Sequence, residues 1–500
     1  MSLAKLYSRA LRGTNAPEVI VEVHVAGGLP SFSIVGLPDT EVKESRDRVR
    51  SAIQMSGFNF PARRITVNLA PADLPKESGR YDLPIALGVL IASGLIKPKL
   101  DVDQFEFAGE LALDGTLRKI NGALAIAYNA RESLRSFIVP EANADEAALV
   151  EDVKIYSANS LNQVISHICS EITLPIRTNL DILDNINLNY IIDFNQVKGQ
   201  NAVKFALEIA AAGRHSILMI GNPGCGKSML AERLITILPQ LTNNQAIESA
   251  AVHSLTNHGF DVATFRRTPF RRPHHTSSSV AVVGGGANPK PGEISLAHNG
   301  VLFMDEMPEF ERKVLEVLRE PLEAKKINIS RANNKVEFPA DFQLVAAMNP
   351  CPCGNAGHPQ NVCKCSPEQI ARYVAKISAP LLDRIDLVVQ MPHLQPNELQ
   401  NLPTGENSSI IRDRVIKSRA FQMKRQNKLN YELNNQEVDT YCILDGKARN
   451  LVTQLVDKFG LSARAYYKLL KVARTTADLS EVEVINVAHV AQSAQYKKIF

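Results

Sequence analysis

The sequence contains no tryptophan, and no apolar run in it approaches the roughly 18 residues that cross a bilayer. A helical membrane span is therefore excluded. The opening stretch MSLAKLYSRALRG lacks the continuous apolar centre of a secretory signal, so a cytoplasmic location is expected. Net charge is only +4. That is too little to attract nucleic acid through overall charge, so any such contact must come from local patches or from several copies around a pore. The chain has seven cysteines in 500 residues, too sparse for a disulfide framework, yet four of them fall between positions 351 and 365. What is present is ordinary: 45% hydrophobic and 22% charged residues, in a length that requires more than one core. The expectation is a soluble, multidomain α/β protein.

Three regions separate along the chain. Residues 1–175 alternate short apolar strands, such as VIVEVHVAGG and RITVNLAP, with helical stretches such as ESRDRVRSAIQMSG. Residues 176–192 form a polar linker. Residues 193–392 return to an α/β pattern, and residues 393–500 are helical, with helices expected near 407–427 and 461–477.

The strongest chemical signal lies within residues 193–392. The apolar run Ser216–Ile220 reads as a buried strand. It is followed by Gly221, Asn222, Pro223, Gly224, Cys225, Gly226, Lys227 and Ser228, then by the helical MLAERLITIL. This GxxxxGK[ST] pattern between strand and helix is a phosphate loop. Its glycines let backbone N–H groups curl around phosphates, and the following helix directs its N-terminus at them. Lys227 is expected to reach the β/γ-phosphates of ATP, and Ser228 to ligate Mg²⁺. A second apolar strand ends in Asp305 and Glu306. Asp305 is expected to hold Mg²⁺, and Glu306 to polarise the attacking water. A third strand, Phe342–Met348, ends at Asn349.

Further along, Arg384 sits in LLDRIDL, and Arg464 in LSARA, just inside a helix that Ser462 caps. The string RRPHHT at 271–276, the glycines 284–286 and PGEISLAHNG at 291–300 also stand out. So do VGLPD at 35–39, NLAPAD at 68–73 and KGQ at 198–200. Together these motifs resemble the Mg-chelatase-like AAA+ ATPases of the ComM/YifB type, over nearly the whole chain. The resemblance implies a Lon-protease-like N-terminal α+β domain, an AAA+ P-loop core and a C-terminal helical lid. It implies that Asn349 is sensor 1, Arg384 an arginine finger acting on a neighbouring subunit, and Arg464 sensor 2. It also implies a homo-hexameric DNA helicase that drives branch migration during natural transformation. A chelatase motor subunit, or a remodelling ATPase with a protein client, is the alternative.

Segments 75–79, 109–118 and 121–123 are similar to the Lon proteolytic domain, which needs a Ser nucleophile and a Lys base. The pattern's Ser position falls at Arg80-Tyr81-Asp82, and its Lys position holds Leu124; Ser78 and Lys76 are out of register. A non-proteolytic relative is expected.

Cys351, Cys353, Cys363 and Cys365 form a CxC-x9-CxC set that suits tetrahedral Zn²⁺ in a structural role. Residues 325–338 read as a β-hairpin in which Lys325, Arg331 and Lys335 are candidate contacts to DNA phosphates. An insertion at 265–297 offers Arg271 and Arg272 as further candidates. His274 and His275 are expected to pack a loop, and the basic helix carrying Arg412, Arg414, Lys417, Arg419, Lys424 and Arg425 to present a solvated face.

Overall fold

A computed structural model describes residues 3–178, 190–256, 259–286, 289–330, 335–393 and 403–496. Two sheets organise the chain. The first has eight strands, in the spatial order 176–177, 155–158, 136–140, 105–107, 3–9, 18–26, 64–70 and 31–35. Strict alternation in Glu18–Ala26 buries Val19, Val21, Val23 and Val25 on one face. This strand pairs antiparallel with Leu3–Arg9 and with Arg64–Ala70. The helix Asp82–Ala92 is apolar on nearly every side and lies buried across these strands. Gly88 permits the close approach, because a Cβ there would stand 2.5 Å from Val23 Cγ2 and 3.1 Å from Leu6 Cδ1.

Arg9, Glu106 and Asp82, buried in this region, are held in ion pairs. Arg9 grips Glu106 through two bonds of 2.7 and 2.8 Å. Arg48 donates to Asp82 at 2.7 Å, and Ser45 donates to the same carboxylate. Burial raises the Asp82 pKa against the pull of these donors. Ser78 Oγ accepts from Arg80 Nε at 2.8 Å, while buried Lys76 directs its amine to the Pro71 carbonyl. Leu124 is fully buried on Ala123–Ala130, a helix that packs against Asn243–Ser254. It shares an apolar cluster with Ile247, Ala250 and Phe265, so the N-terminal region packs against the helix Asn243–Ser254 through a common core.

The second sheet has five strands in the order 270–271, 301–304, 343–348, 217–220 and 387–390, all parallel. Each central strand is a short, wholly buried apolar run, as expected where both faces are covered. Parallel pairing sends every C-terminal end to one edge. Gln343–Met348 is inserted between the phosphate-loop strand and the strand leading to Asp305. The segment expected to be an insertion contributes the edge strand Phe270–Arg271, which at two residues is too short to show any periodicity.

C-terminal helices follow: Ser408–Gln426, Asn435–Tyr441, Gly446–Phe459, Ala463–Leu479 and Val487–Ala494. The first packs on Asn201–Gly213 and Lys227–Ile237 beside the sheet. The others enclose a small core that includes Val438, Leu470, Ala473, Ile485 and Val490. The antiparallel pair Lys326–Ser330 and Lys335–Pro339 is present where a hairpin is expected, with Ser330 opposite Lys335. No helix among the described residues is long and apolar enough to cross a membrane.

Candidate nucleotide site

The loop 221–226 leaves the strand Ile217–Ile220 at the C-terminal edge of the sheet and runs into the helix Lys227–Ile237. Gly224 and Gly226 have φ of +79° and +92°, a region that residues with a Cβ avoid. A Cβ at either would meet nothing within 4 Å, so the loop opens onto free space. Lys227 Nζ donates to the carbonyls of Gly221 (2.6 Å) and Asn222 (3.0 Å) and to Asn349 Oδ1 (3.0 Å). Burial lowers its pKa, against the favourable charges of Cys225, Asp305 and Glu306. Gln200, from the KGQ motif, donates to the Cys225 carbonyl at 3.4 Å and to that of Pro392 at 2.9 Å, bracing the loop from behind.

Across the edge, Ser228 Oγ donates to Asp305 Oδ2 at 2.7 Å. A hydroxyl and a carboxylate oxygen converging on one point form a hard-oxygen donor set suited to Mg²⁺. Glu306 has φ +50°, unusual for a residue with a side chain and a form of strain found at functional sites. The open loop, the paired Ser228 and Asp305, and a lysine held by neutral oxygens together fit a Mg-polyphosphate.

Two residues enter this site that the sequence assigned elsewhere, Arg272 as a candidate DNA contact and His275 as a loop-packing residue. Arg272 donates to Asp305 Oδ2 at 2.6 Å and to Glu232 at 2.9 Å. His275 Nδ1 lies 3.4 Å from Glu306 Oε2; its ring stacks on His274 at 4.3 Å and meets the edge of Phe310. The signal for both was RRPHH directly after a strand. The pairing of Phe270–Arg271 with Val301–Leu302 delivers the residues that follow to the same edge as Asp305.

Arg384 and Arg464 lie elsewhere. Arg384 precedes the strand Leu387–Gln390, and Asp386 N donates to the Ser216 carbonyl just before the phosphate-loop strand begins. It therefore stands at the opposite edge from the phosphate loop, a four-residue strand or about 13 Å away along the chain direction. Its guanidinium donates to the Pro380 carbonyl at 2.6 Å and to Glu323. Arg464 donates to the same Glu323 oxygen at 3.4 Å. Both line a cavity of about 370 Å³ together with Arg214, Lys325, Asp341 and Lys468. Among the described hydrogen bonds, neither arginine contacts its own phosphate loop.

Three of the cations singled out for DNA, Arg271, Arg272 and Lys325, have partners within the chain. Arg271 holds Glu293 through bonds of 2.6 and 2.7 Å, and Arg272 is the guanidinium on Asp305. Lys325 pairs with Glu432 and lies 3.4 Å from Asp341. Burial opposes its charge, but Glu432, Tyr431 and Asp341 outweigh this and raise its pKa. Lys335 opens the second hairpin strand, and Arg331 lies outside the described residues. The basic helix, expected to present a solvated face, does so at Lys417 and Lys424 but turns three arginines onto other elements: Arg414 binds Glu208 and Glu406, Arg419 the Ala211 carbonyl, and Arg425 Asp478.

The four cysteines from 351 to 365 gather with all sulfurs within 4.8 Å of one another, a set able to hold a metal ion.

Family comparisons agree along the chain. Residues 193–399 match the model for magnesium chelatase, subunit ChlI; residues 21–143 match that for subunit ChlI of Mg-chelatase; and residues 405–497 match its C-terminal model. Competence protein ComM of Haemophilus influenzae is 48% identical over 500 residues, covering 99% of this chain and 98% of that one. The uncharacterized protein YifB of Escherichia coli is 46% identical, covering 100% and 98%. An archaeal MCM-type protein, MJ0961 of Methanocaldococcus jannaschii, is 28% identical over 219 residues, 42% of this chain and 25% of that one. With its parallel sheet, its phosphate loop and similarity to ComM and YifB over its whole length, this chain belongs to the ComM/YifB type of Mg-chelatase-like AAA+ proteins.

Proposed function

We propose that the protein is an ATP-driven homo-hexameric ring that translocates on DNA and promotes branch migration during natural transformation. The observation that carries this reading is likeness over the full length to a protein named for competence. The family implies an ATPase, and the site supports a division of labour for it. Lys227 neutralises β/γ-phosphate charge, Ser228 and Asp305 hold Mg²⁺, and Glu306, kept 3.4 Å from His275, orients the attacking water. Asn349 places that water from the neighbouring strand. Mg²⁺ supplies charge neutralisation between the phosphates. A structural Zn²⁺ in the four-cysteine cluster completes the bound groups.

Reach supports the ring. Arg384 and Arg464 share Glu323 at the far edge of the sheet, so each serves the site of an adjacent subunit. In a head-to-tail ring, that edge of one subunit faces the phosphate loop of the next. Residues 1–175, extended by the edge strand Ile176–Arg177 that completes their sheet, form a non-proteolytic Lon-like domain, residues 193–392 the motor and residues 393–500 the lid. The hairpin strands Lys326–Ser330 and Lys335–Pro339, with the segment that joins them, form the element that grips DNA phosphates.

A synthetic four-way DNA junction tests the reading. The purified protein with MgATP should convert it to two forked duplexes. The Glu306→Gln variant should bind the junction and leave it intact. A junction untouched by wild-type protein that hydrolyses ATP would move the assignment to a protein or tetrapyrrole client.

A further inference from the structure

The cysteine cluster lies against the phosphate loop. Cys351 Sγ is 3.4 Å from that of Cys353 and 3.7 Å from that of Cys363, and Cys353 and Cys363 are 3.6 Å apart. Tetrahedral Zn²⁺ with Zn–S bonds near 2.3 Å requires sulfurs about 3.8 Å apart. The spacing is thus that of a metal-binding set; no pair is at disulfide length. A backbone N–H already points at one of the sulfurs: Ala356 N is 3.3 Å from Cys351 Sγ. Such donors stabilise metal-bound thiolates.

The cluster also meets the nucleotide site directly. Asn222, buried in the phosphate loop, donates its side-chain amide to the carbonyl of Gly354 at 2.6 Å and to that of Ala356 at 3.2 Å. The Asn222 carbonyl in turn accepts from Lys227. Gly354 has φ +80°, and a Cβ there would stand 2.7 Å from Pro223 Cγ. On the other side, Cys351 follows Asn349 by two residues.

We propose that the four cysteines form a Zn²⁺ knuckle that clamps the phosphate loop through Asn222 and Pro223. It sets the loop and Asn349 in register, so that loss of the metal weakens nucleotide binding from outside the nucleotide pocket. The clamp rests on the Zn²⁺ and ATPase readings above, and the test separates the three. No side chain of the knuckle touches phosphate in this scheme; its cysteines are positioning residues.

The experiment uses full-length protein, with metal content from plasma mass spectrometry and nucleotide affinity from fluorescent mant-ADP. Wild-type protein should carry one zinc per chain. Cys363→Ser should lose the zinc and bind mant-ADP about tenfold more weakly, the worth of the two Asn222 hydrogen bonds. Gly354→Ala should keep its zinc, which shows the knuckle intact, and still bind more weakly because the added methyl pushes it off Pro223. Wild-type protein free of zinc overturns the metal assignment. Zinc lost with affinity changed less than twofold overturns the clamp. Wild-type protein that keeps its zinc but binds no mant-ADP overturns the nucleotide site on which the clamp would act.

Discussion

Arg384→Ala is expected to remove hydrolysis while leaving nucleotide binding in place, and a mixing experiment shows whose site it serves. Arg384 lies at the N-terminal edge of the parallel sheet, and Lys227, Ser228 and Asp305 at the C-terminal edge. The intervening strand spans about 13 Å, beyond the reach of an arginine side chain once the detour around the sheet is included. Turnover by the variant should fall by about 10³-fold or more, the effect of losing an arginine finger. Lys227→Ala should be equally inactive, because it loses ATP binding. Mixed one to one, the two dead proteins regain activity wherever a Lys227 site is followed by a subunit that retains Arg384. Random placement in a head-to-tail ring makes that about one quarter of the interfaces. A steady-state phosphate-release assay on the mixture reads this directly. A mixture no more active than its components would refute action across subunits. Arg464→Ala should complement Lys227→Ala in the same way, because it shares Glu323 with Arg384.

Other outcomes follow from single contacts. Glu306→Gln should bind ATP and assemble normally while turnover drops by at least about 100-fold, as for loss of a general base; undiminished phosphate release would remove it from that role. Arg272→Ala frees the Asp305 oxygen that Ser228 also uses. The pair it breaks is partly exposed and worth about 1 kcal/mol at most, so the Mg²⁺ needed for half-maximal nucleotide binding should fall up to about fivefold; a rise would contradict competition between Arg272 and Mg²⁺. Gly88→Ala drives a methyl into Val23 and should cost about 1–3 kcal/mol in urea unfolding; an unchanged midpoint would show that the strand gives way.

What was legible in the sequence was whatever a local pattern encodes. The apolar run before Gly221 and the run ending in Asp305 each had to be a buried strand, and their terminal residues had to share an edge if the strands were parallel. The structure brings Lys227, Ser228, Asp305 and Asn349 together in that way. The alternation in Glu18–Ala26 and the cap at Ser462 were equally local. Arg272 and His275 were not legible as site residues, because the strand that delivers them is two residues long. Glu323 was hidden for another reason: its value lies in meeting two arginines that are 61 and 141 positions away. Cations such as Arg271 and Lys325 read as free from sequence, since the carboxylates that hold them, Glu293 and Glu432, come from other elements.

The central claim, a motor that runs on DNA, is tested most directly by ATP turnover of the full-length protein with and without single-stranded and branched DNA, at about 50 and 200 mM salt. The account predicts strong stimulation by either DNA at low salt, fading as salt competes for the phosphate contacts. Turnover that is the same with and without DNA at both salt concentrations would contradict it.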